Sequence, residues 1–207
     1  MKRVTHTDPK DVVRHGYDLA SCAYRADDAE EGGYRPWLAR LRGRLPDAAD
    51  VLDLGCGCGV PVSRALSQAG HTVTGVDISD VQVARARRLV PQARFLRADA
   101  TGVRFPPESF DAVVTLFALI HIPLAEQPPL LARVATWLRP GGLLLATTGH
   151  TAWTGTEEDW HGATMWWSHA DAATYRAWLQ AAGLRVESEE FFPEGDGGHA
   201  VFWAVHP

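Results

Sequence analysis

Three glycines at alternate positions, Gly55, Gly57 and Gly59, follow an acid, Asp53, at the end of the apolar run Val51-Leu52-Asp53-Leu54. Glycines spaced this way let a backbone turn sharply and approach a bound molecule closely, because no Cβ stands in the way. Such a turn serves the binding of a nucleotide-type cofactor, with Asp53 placed to reach the loop or, through it, a cationic group on the ligand. Asp77 ends the next apolar run about 20 residues further on, where a carboxylate grips a pair of ribose hydroxyls. Cys56 and Cys58 lie inside the turn. Their one-residue spacer is shorter than the usual zinc or dithiol patterns, so they read as small buried residues rather than a metal or redox pair.

These residues need strands and helices in alternation to hold them. A helix over 60–69, with Pro61 near its first position, ends at Gly70, and a strand over 71–76 follows. Ser79 or Asp80 caps a helix to about Val90, and 93–97 reads as a short strand. Residues 110–116 suit a central buried strand, 126–138 a helix stopped by Arg139-Pro140-Gly141-Gly142, and 143–148 a fifth strand. Ser168 and Asp171 have capping-box spacing ahead of a helix to Ala182, and 184–192 and 199–205 form a hairpin across a turn at 193–198. An α/β fold with a mostly parallel sheet covered by helices on both faces follows. The chain reads as one domain over 1–207, with 1–47 a helical cap segment and 149–169 an irregular loop insertion on the substrate side.

Composition narrows the partners. Hydrophobic residues make up 46% of the 207 and charged ones 22%, which is ordinary globular usage. A net charge of −5 gives no reason to expect nucleic acid as partner. Residues 1–6 lack a signal-like apolar core and no run of about 18 apolar residues occurs, so a cytoplasmic protein with no membrane association is the expectation. Three cysteines, an odd number, argue against a disulfide framework.

Taken in order, Asp53-Leu54-Gly55-Cys56-Gly57-Cys58-Gly59, Gly75-Val76-Asp77-Ile78-Ser79, Ala98-Asp99-Ala100, Phe110-Asp111-Ala112-Val113-Val114 with Leu119-Ile120-His121-Ile122, and Leu138-Arg139-Pro140-Gly141-Gly142 resemble the class I S-adenosylmethionine-dependent methyltransferases. The resemblance spans roughly residues 48–205. It implies a Rossmann-like seven-stranded sheet, order 3-2-1-4-5-7-6, with strand 7 antiparallel. It also implies S-adenosylmethionine as cofactor. The loop at Gly55, Gly57 and Gly59 would lie against the methionine part and Asp77 would hold the ribose. Asp99 and the Ala100 N–H would hold the adenine, with Ile78 on its face, and Thr115 and Phe117 would border the cofactor from the fourth strand. Tyr17 and Tyr24, on a helical segment over 11–25, would fold over it as a lid, or else pack on the sheet edge. A dehydrogenase binding a nicotinamide cofactor needs a glycine at position 60, where Val60 stands.

Methyl transfer from a sulfonium is an in-line displacement, so positioning is the main demand and a base helps only where the nucleophile must lose a proton. His121, past the fourth strand, is the candidate for base or substrate contact, titrating near pH 6–7, or else it caps or packs the loop. The stretch 149–169 carries His150, Trp153, Trp160, Met165, Trp166 and Trp167, with His161, His169 and three acids. These are the candidate acceptor-binding residues; a dimer contact and a histidine metal site are the competing readings, the latter disfavoured by irregular spacing. The expected function is methyl transfer to an oxygen, nitrogen or sulfur atom of a small metabolite by a monomer or homodimer. A non-catalytic cofactor-binding or regulatory protein of the same fold is the alternative.

Overall fold

A computed structural model describes residues 8–207; the stretch 1–6 weighed above lies outside the described residues. Seven strands form one sheet in the order β3-β2-β1-β4-β5-β9-β8. They are β1 (Asp50–Leu54), β2 (Thr72–Asp77), β3 (Arg94–Arg97), β4 (Phe110–Thr115), β5 (Leu138–Gly149), β8 (Arg185–Glu194) and β9 (Gly197–Val205). The first five run parallel and β9 is antiparallel to both neighbours. This is the expected order, since β8 and β9 are the sixth and seventh strands of the sheet.

The apolar runs are long because both faces are covered. Leu52, Val113, Leu144 and Phe202 enter one core with α5 (Gln127–Trp137) and α6 (Ala172–Ala181), while their neighbours Val51, Val114, Leu145 and Trp203 enter the other with α2 (Arg35–Arg42) and α3 (Val62–Gln68). Each such side chain contributes roughly 1.5–3 kcal/mol by leaving water. α4 (Asp80–Leu89) packs Val83 and Ala86 against Phe95 of β3.

Four local expectations are corrected. Residues 149–169 are not an irregular loop but a hairpin of β6 (Trp153–Trp160) and β7 (Ala163–His169), turned at His161 (φ 50°) and Gly162 (φ 80°). Strand alternation was masked because β6 is exposed almost throughout and so carries polar residues on both faces. β5 begins at Leu138, not 143: Leu138 pairs with Phe110, and hydrogen bonds between Gly141 N–H and the His206 carbonyl and between His206 N–H and the Gly142 carbonyl keep the Pro-Gly-Gly segment in the ladder. α6 is capped by Asp171, whose carboxylate accepts from Thr174 N–H at 2.8 Å, while Ser168 stays in β7. The β8–β9 turn is also tighter than expected, since Glu194 already pairs with Gly197.

α1 (Pro9–Tyr24) starts at Asp8, which accepts from Lys10 N–H at 3.0 Å. It lies across the carboxyl ends of the strands, with β7 on its buried face: a Cβ on Gly16 would come within 2.8 Å of Met165 Cε and Thr164 O. Among the described residues no helix is long and apolar enough to cross a membrane.

Candidate functional site

β1 and β2 end side by side, and the turn after β1 folds over the end of β2. Gly55 and Cys56 N–H both donate to the Val76 carbonyl at 2.8 and 3.0 Å. Gly55 has φ 82°, and a Cβ there would stand 2.2 Å from Ala118 Cβ, so the position admits only glycine. At Gly57 (φ 52°) nothing lies within 4 Å of a would-be Cβ, leaving the backbone open to an approaching molecule. Asp77 accepts from Gly57 N–H at 2.8 Å and Ser79 N–H at 2.9 Å, so its carboxylate is fixed in direction. Burial pushes that carboxyl up and the amides pull against it.

A cavity opens here, at the carboxyl ends of the strands. Gly55, Asp77, Ile78, Asp99, Ala100, Thr115, Phe117, His121, Tyr17 and Tyr24 all line it, so the structure brings together cofactor-side residues expected from five separate segments. Asp53 does not line it. It sits beneath the turn, 2% exposed, accepting from Ser63 Oγ at 2.6 Å, and burial raises its carboxyl to about 7. Its residue borders a smaller hollow shared with Gly55, Gly57, Tyr24 and Arg25.

His121 follows β4 on a short 3₁₀ turn, 5% exposed. Its Nδ1 lies 2.8 Å from the Trp166 carbonyl, which only accepts, so Nδ1 carries the hydrogen. Nε2, at 2.9 Å from Tyr17 Oη, therefore accepts from that hydroxyl. Burial lowers the imidazole to about 4, so the titration expected near pH 6–7 is corrected: desolvation keeps His121 neutral there.

The hairpin residues serve a cover. Trp160 packs on Tyr17 and Tyr24, centroids 5.3 and 5.0 Å apart, and Trp167 lies 4.4 Å from His121. Met165 is fully buried under α1, and Trp166 contributes its carbonyl. Trp153 is 46% exposed beside His169, and exposed His150 packs on Phe191; neither lines the cavity. Among the described residues no three His, Cys, Asp or Glu side chains form a metal-ligand group.

Two residues went unread in the sequence. Lys10 of α1 reaches Asp99 at 2.8 Å, Thr101 at 2.7 Å and Glu126 at 2.5 Å. Burial favours its neutral form, but these partners outweigh it and raise the ammonium; the same contacts keep Asp99 below its ordinary range against the cost of its own burial. Arg25 stacks on Tyr24 and Tyr34 at 5.3 and 5.1 Å and faces the glycine turn across the smaller hollow. Lone basic residues in an amphipathic amino-terminal helix carry no local signal for either role.

A family model described as a methyltransferase domain matches residues 51–142. The 27-O-demethylrifamycin SV methyltransferase of Amycolatopsis mediterranei is 39% identical over 113 residues, 51% of this chain and 41% of that one. The chain spans less than half the length of the first curated relatives it matches. Magnesium protoporphyrin IX methyltransferase of Synechocystis PCC 6803, solved with S-adenosylmethionine, superposes with a TM-score of 0.74 at 19% identity, covering 98% of this chain and 99% of that one. The [4+2]-cyclase SpnF superposes with a TM-score of 0.72 at 20% identity over 97% of each chain. These two likenesses are of fold.

Proposed function

We propose that the chain is a class I S-adenosylmethionine-dependent methyltransferase that transfers a methyl group from S-adenosylmethionine to an oxygen, nitrogen or sulfur atom of a small molecule. One observation carries the reading: Asp77, Asp99 and the Gly55 turn converge on a single cavity at the carboxyl edge of a parallel sheet, where open α/β sheets take their ligands. The bound cofactor supplies an activated methyl on a sulfonium. Asp77 accepts from the ribose hydroxyls, a charge-assisted pair, using the lone pairs its amide donors leave free. Asp99 and Ala100 N–H take the adenine edge with Ile78 against its face, and Lys10 holds the Asp99 carboxylate in place. The Gly55 carbonyl meets the ammonium of the amino-acid end, and Arg25 its carboxylate.

α1 and the β6–β7 hairpin exclude water, with Tyr17 and Tyr24 locked under Trp160. Orientation in such a dry site supplies up to about 7–11 kcal/mol of the barrier reduction in favourable cases. His121 positions rather than takes protons, since both nitrogens are engaged: it fixes the Tyr17 hydroxyl on one side and β7 on the other. The net charge of −5 disfavours a nucleic acid as acceptor. A monomer or homodimer acting in the cytoplasm fits this reading.

The fold is shared with a cyclase, so the test reads the transferred methyl rather than cofactor binding alone. Purified protein incubated with methyl-labelled S-adenosylmethionine and a panel of phenols, amines and thiols should yield a labelled product and an equal amount of S-adenosylhomocysteine by mass spectrometry. Cofactor binding with no labelled product from small molecules, and label on an added protein or nucleic acid instead, sinks the small-acceptor reading.

A further inference from the structure

α1 is tied to the rest of the chain differently at its two ends. At its carboxyl end the buried Arg85 of α4 donates from Nη1 to the Ser21 carbonyl at 2.6 Å and from Nη2 to the Arg25 carbonyl at 2.7 Å. A guanidinium placed there satisfies carbonyls that have no partner further along the helix and meets the negative end of its dipole. Ser21 Oγ also donates to Gln82 Oε1 at 2.9 Å, and Asp18 accepts from Ser79 Oγ at 2.6 Å. At the amino end, among the described residues before Gly16, Lys10 is the one side chain with polar contacts outside the helix. Its carboxylate partners Asp99 and Glu126 are 36% and 40% exposed, so water and salt reach the cluster.

Gly16 stands between the two halves. The close approach of Met165 and Thr164 leaves no room for a Cβ there, and a glycine inside a helix is where its backbone bends most readily. Behind Gly16, Tyr17 is held by His121. Ahead of it, Lys10 and Val13 line the cavity together with Asp99 and Ala100, the residues assigned above to the adenine edge. The half of α1 that covers that edge is therefore the half fastened by a single solvent-reached cluster.

We propose that the first two turns of α1 are a door over the adenine end of the cofactor site, pivoting at Gly16 and latched by Lys10 on Asp99 and Glu126. Opening breaks the Lys10 cluster and withdraws Val13, while the Arg85 anchor keeps the rest of the helix seated. The latch leaves Asp99 able to bind. Thr101 N–H, Thr101 Oγ–H and Lys10 supply three donors to a carboxylate with about four acceptor positions, so an adenine amino group completes the set with the door shut. A bound cofactor therefore favours the closed door. The ligand rests on the methyl-transfer reading; the door does not.

Stopped-flow tryptophan fluorescence of the whole chain mixed with S-adenosylhomocysteine tests it. In Lys10→Met both association and dissociation should quicken, each by roughly two- to tenfold, the range of a partly exposed ion cluster. A lysine that merely braced Asp99 would change dissociation alone. Raising sodium chloride from about 0.05 to 0.5 M should quicken association in the wild type, and Lys10→Met should lose that dependence. Unchanged or slower association in the variant overturns the door. Hydrogen exchange of the free protein, read by mass spectrometry, locates the pivot: Lys10→Met should speed exchange over 12–15 by roughly threefold or more and leave 21–24 at the wild-type rate. Equal acceleration along the helix, or none, overturns a pivot at Gly16. If S-adenosylhomocysteine fails to bind, the methyl-transfer reading falls, while the exchange comparison still decides the door.

Discussion

The carboxyl edge of β1, β2 and β4 and the cover above it are built on different principles. At the edge, the groups that face the cavity stand at or just past the ends of their own strands, and Asp77 and Asp99 each accept from the amide two residues on, Ser79 and Thr101 N–H. The cover is made of pairings between distant segments: Tyr17 with His121 across 104 positions, Lys10 with Asp99 across 89, His121 with Trp166 across 45. An edge of this kind works wherever the strand folds, whereas the cover exists only once the whole chain has packed. Changes at the edge should therefore cost more binding than changes in the cover.

The largest effect is expected at Gly55. Gly55→Val adds a side chain into Ala118 at a positive φ, and overpacking of about 1–3 kcal/mol plus backbone strain of about 1–3 kcal/mol should appear as lost stability in urea unfolding, together with lost cofactor binding. Wild-type stability in this variant would mean that the turn is not held as described.

Next is Asp77→Ala, which should weaken S-adenosylhomocysteine binding by about 1.5–3 kcal/mol, the scale of hydrogen bonds to a charged group, read by calorimetry. In the cover, Lys10→Met removes a partly exposed ion-pair cluster and Tyr17→Phe one hydroxyl; each should cost about 0.5–1.5 kcal/mol of affinity, given solvent screening at Lys10. A Lys10→Met loss as large as that of Asp77→Ala would break the distinction between edge and cover.

The net pH dependence of wild-type stability should be shallow, because two buried groups oppose each other. His121 binds its proton at about 4 in the fold and at 6.5 in the unfolded chain, so its contribution is present above 6.5 and lost as pH falls to 4. The Asp53 carboxyl is raised to about 7, so the unfolded chain releases that proton first and stability falls as pH rises from the ordinary carboxylate range to 7. Asp53→Asn removes the second trend only. Its Tm relative to wild type should climb steadily between pH 4 and 7, and a constant difference would mean that Asp53 is not held protonated.

The same contrast explains what could be read in the chain beforehand. Asp53 through Gly59 and Asp77 announce themselves because a turn, a strand end and their spacing are local properties. The strand order and the role of Asp99 came only with the resemblance to the methyltransferases, since runs buried on both faces imply a covered parallel sheet but not its order. The β6–β7 hairpin stayed hidden because its outer strand has no buried face to impose alternation. His121 was found by place but not by state, since its neutrality comes from burial beneath Trp167 and α1.

Calorimetric titration of the whole chain with S-adenosylhomocysteine and, separately, with NAD tests the central assignment most directly. Saturable heat with S-adenosylhomocysteine at one site per chain, weakened at least tenfold in Asp77→Ala and absent with NAD, is the expected result. Saturable NAD binding with no heat from S-adenosylhomocysteine would contradict it.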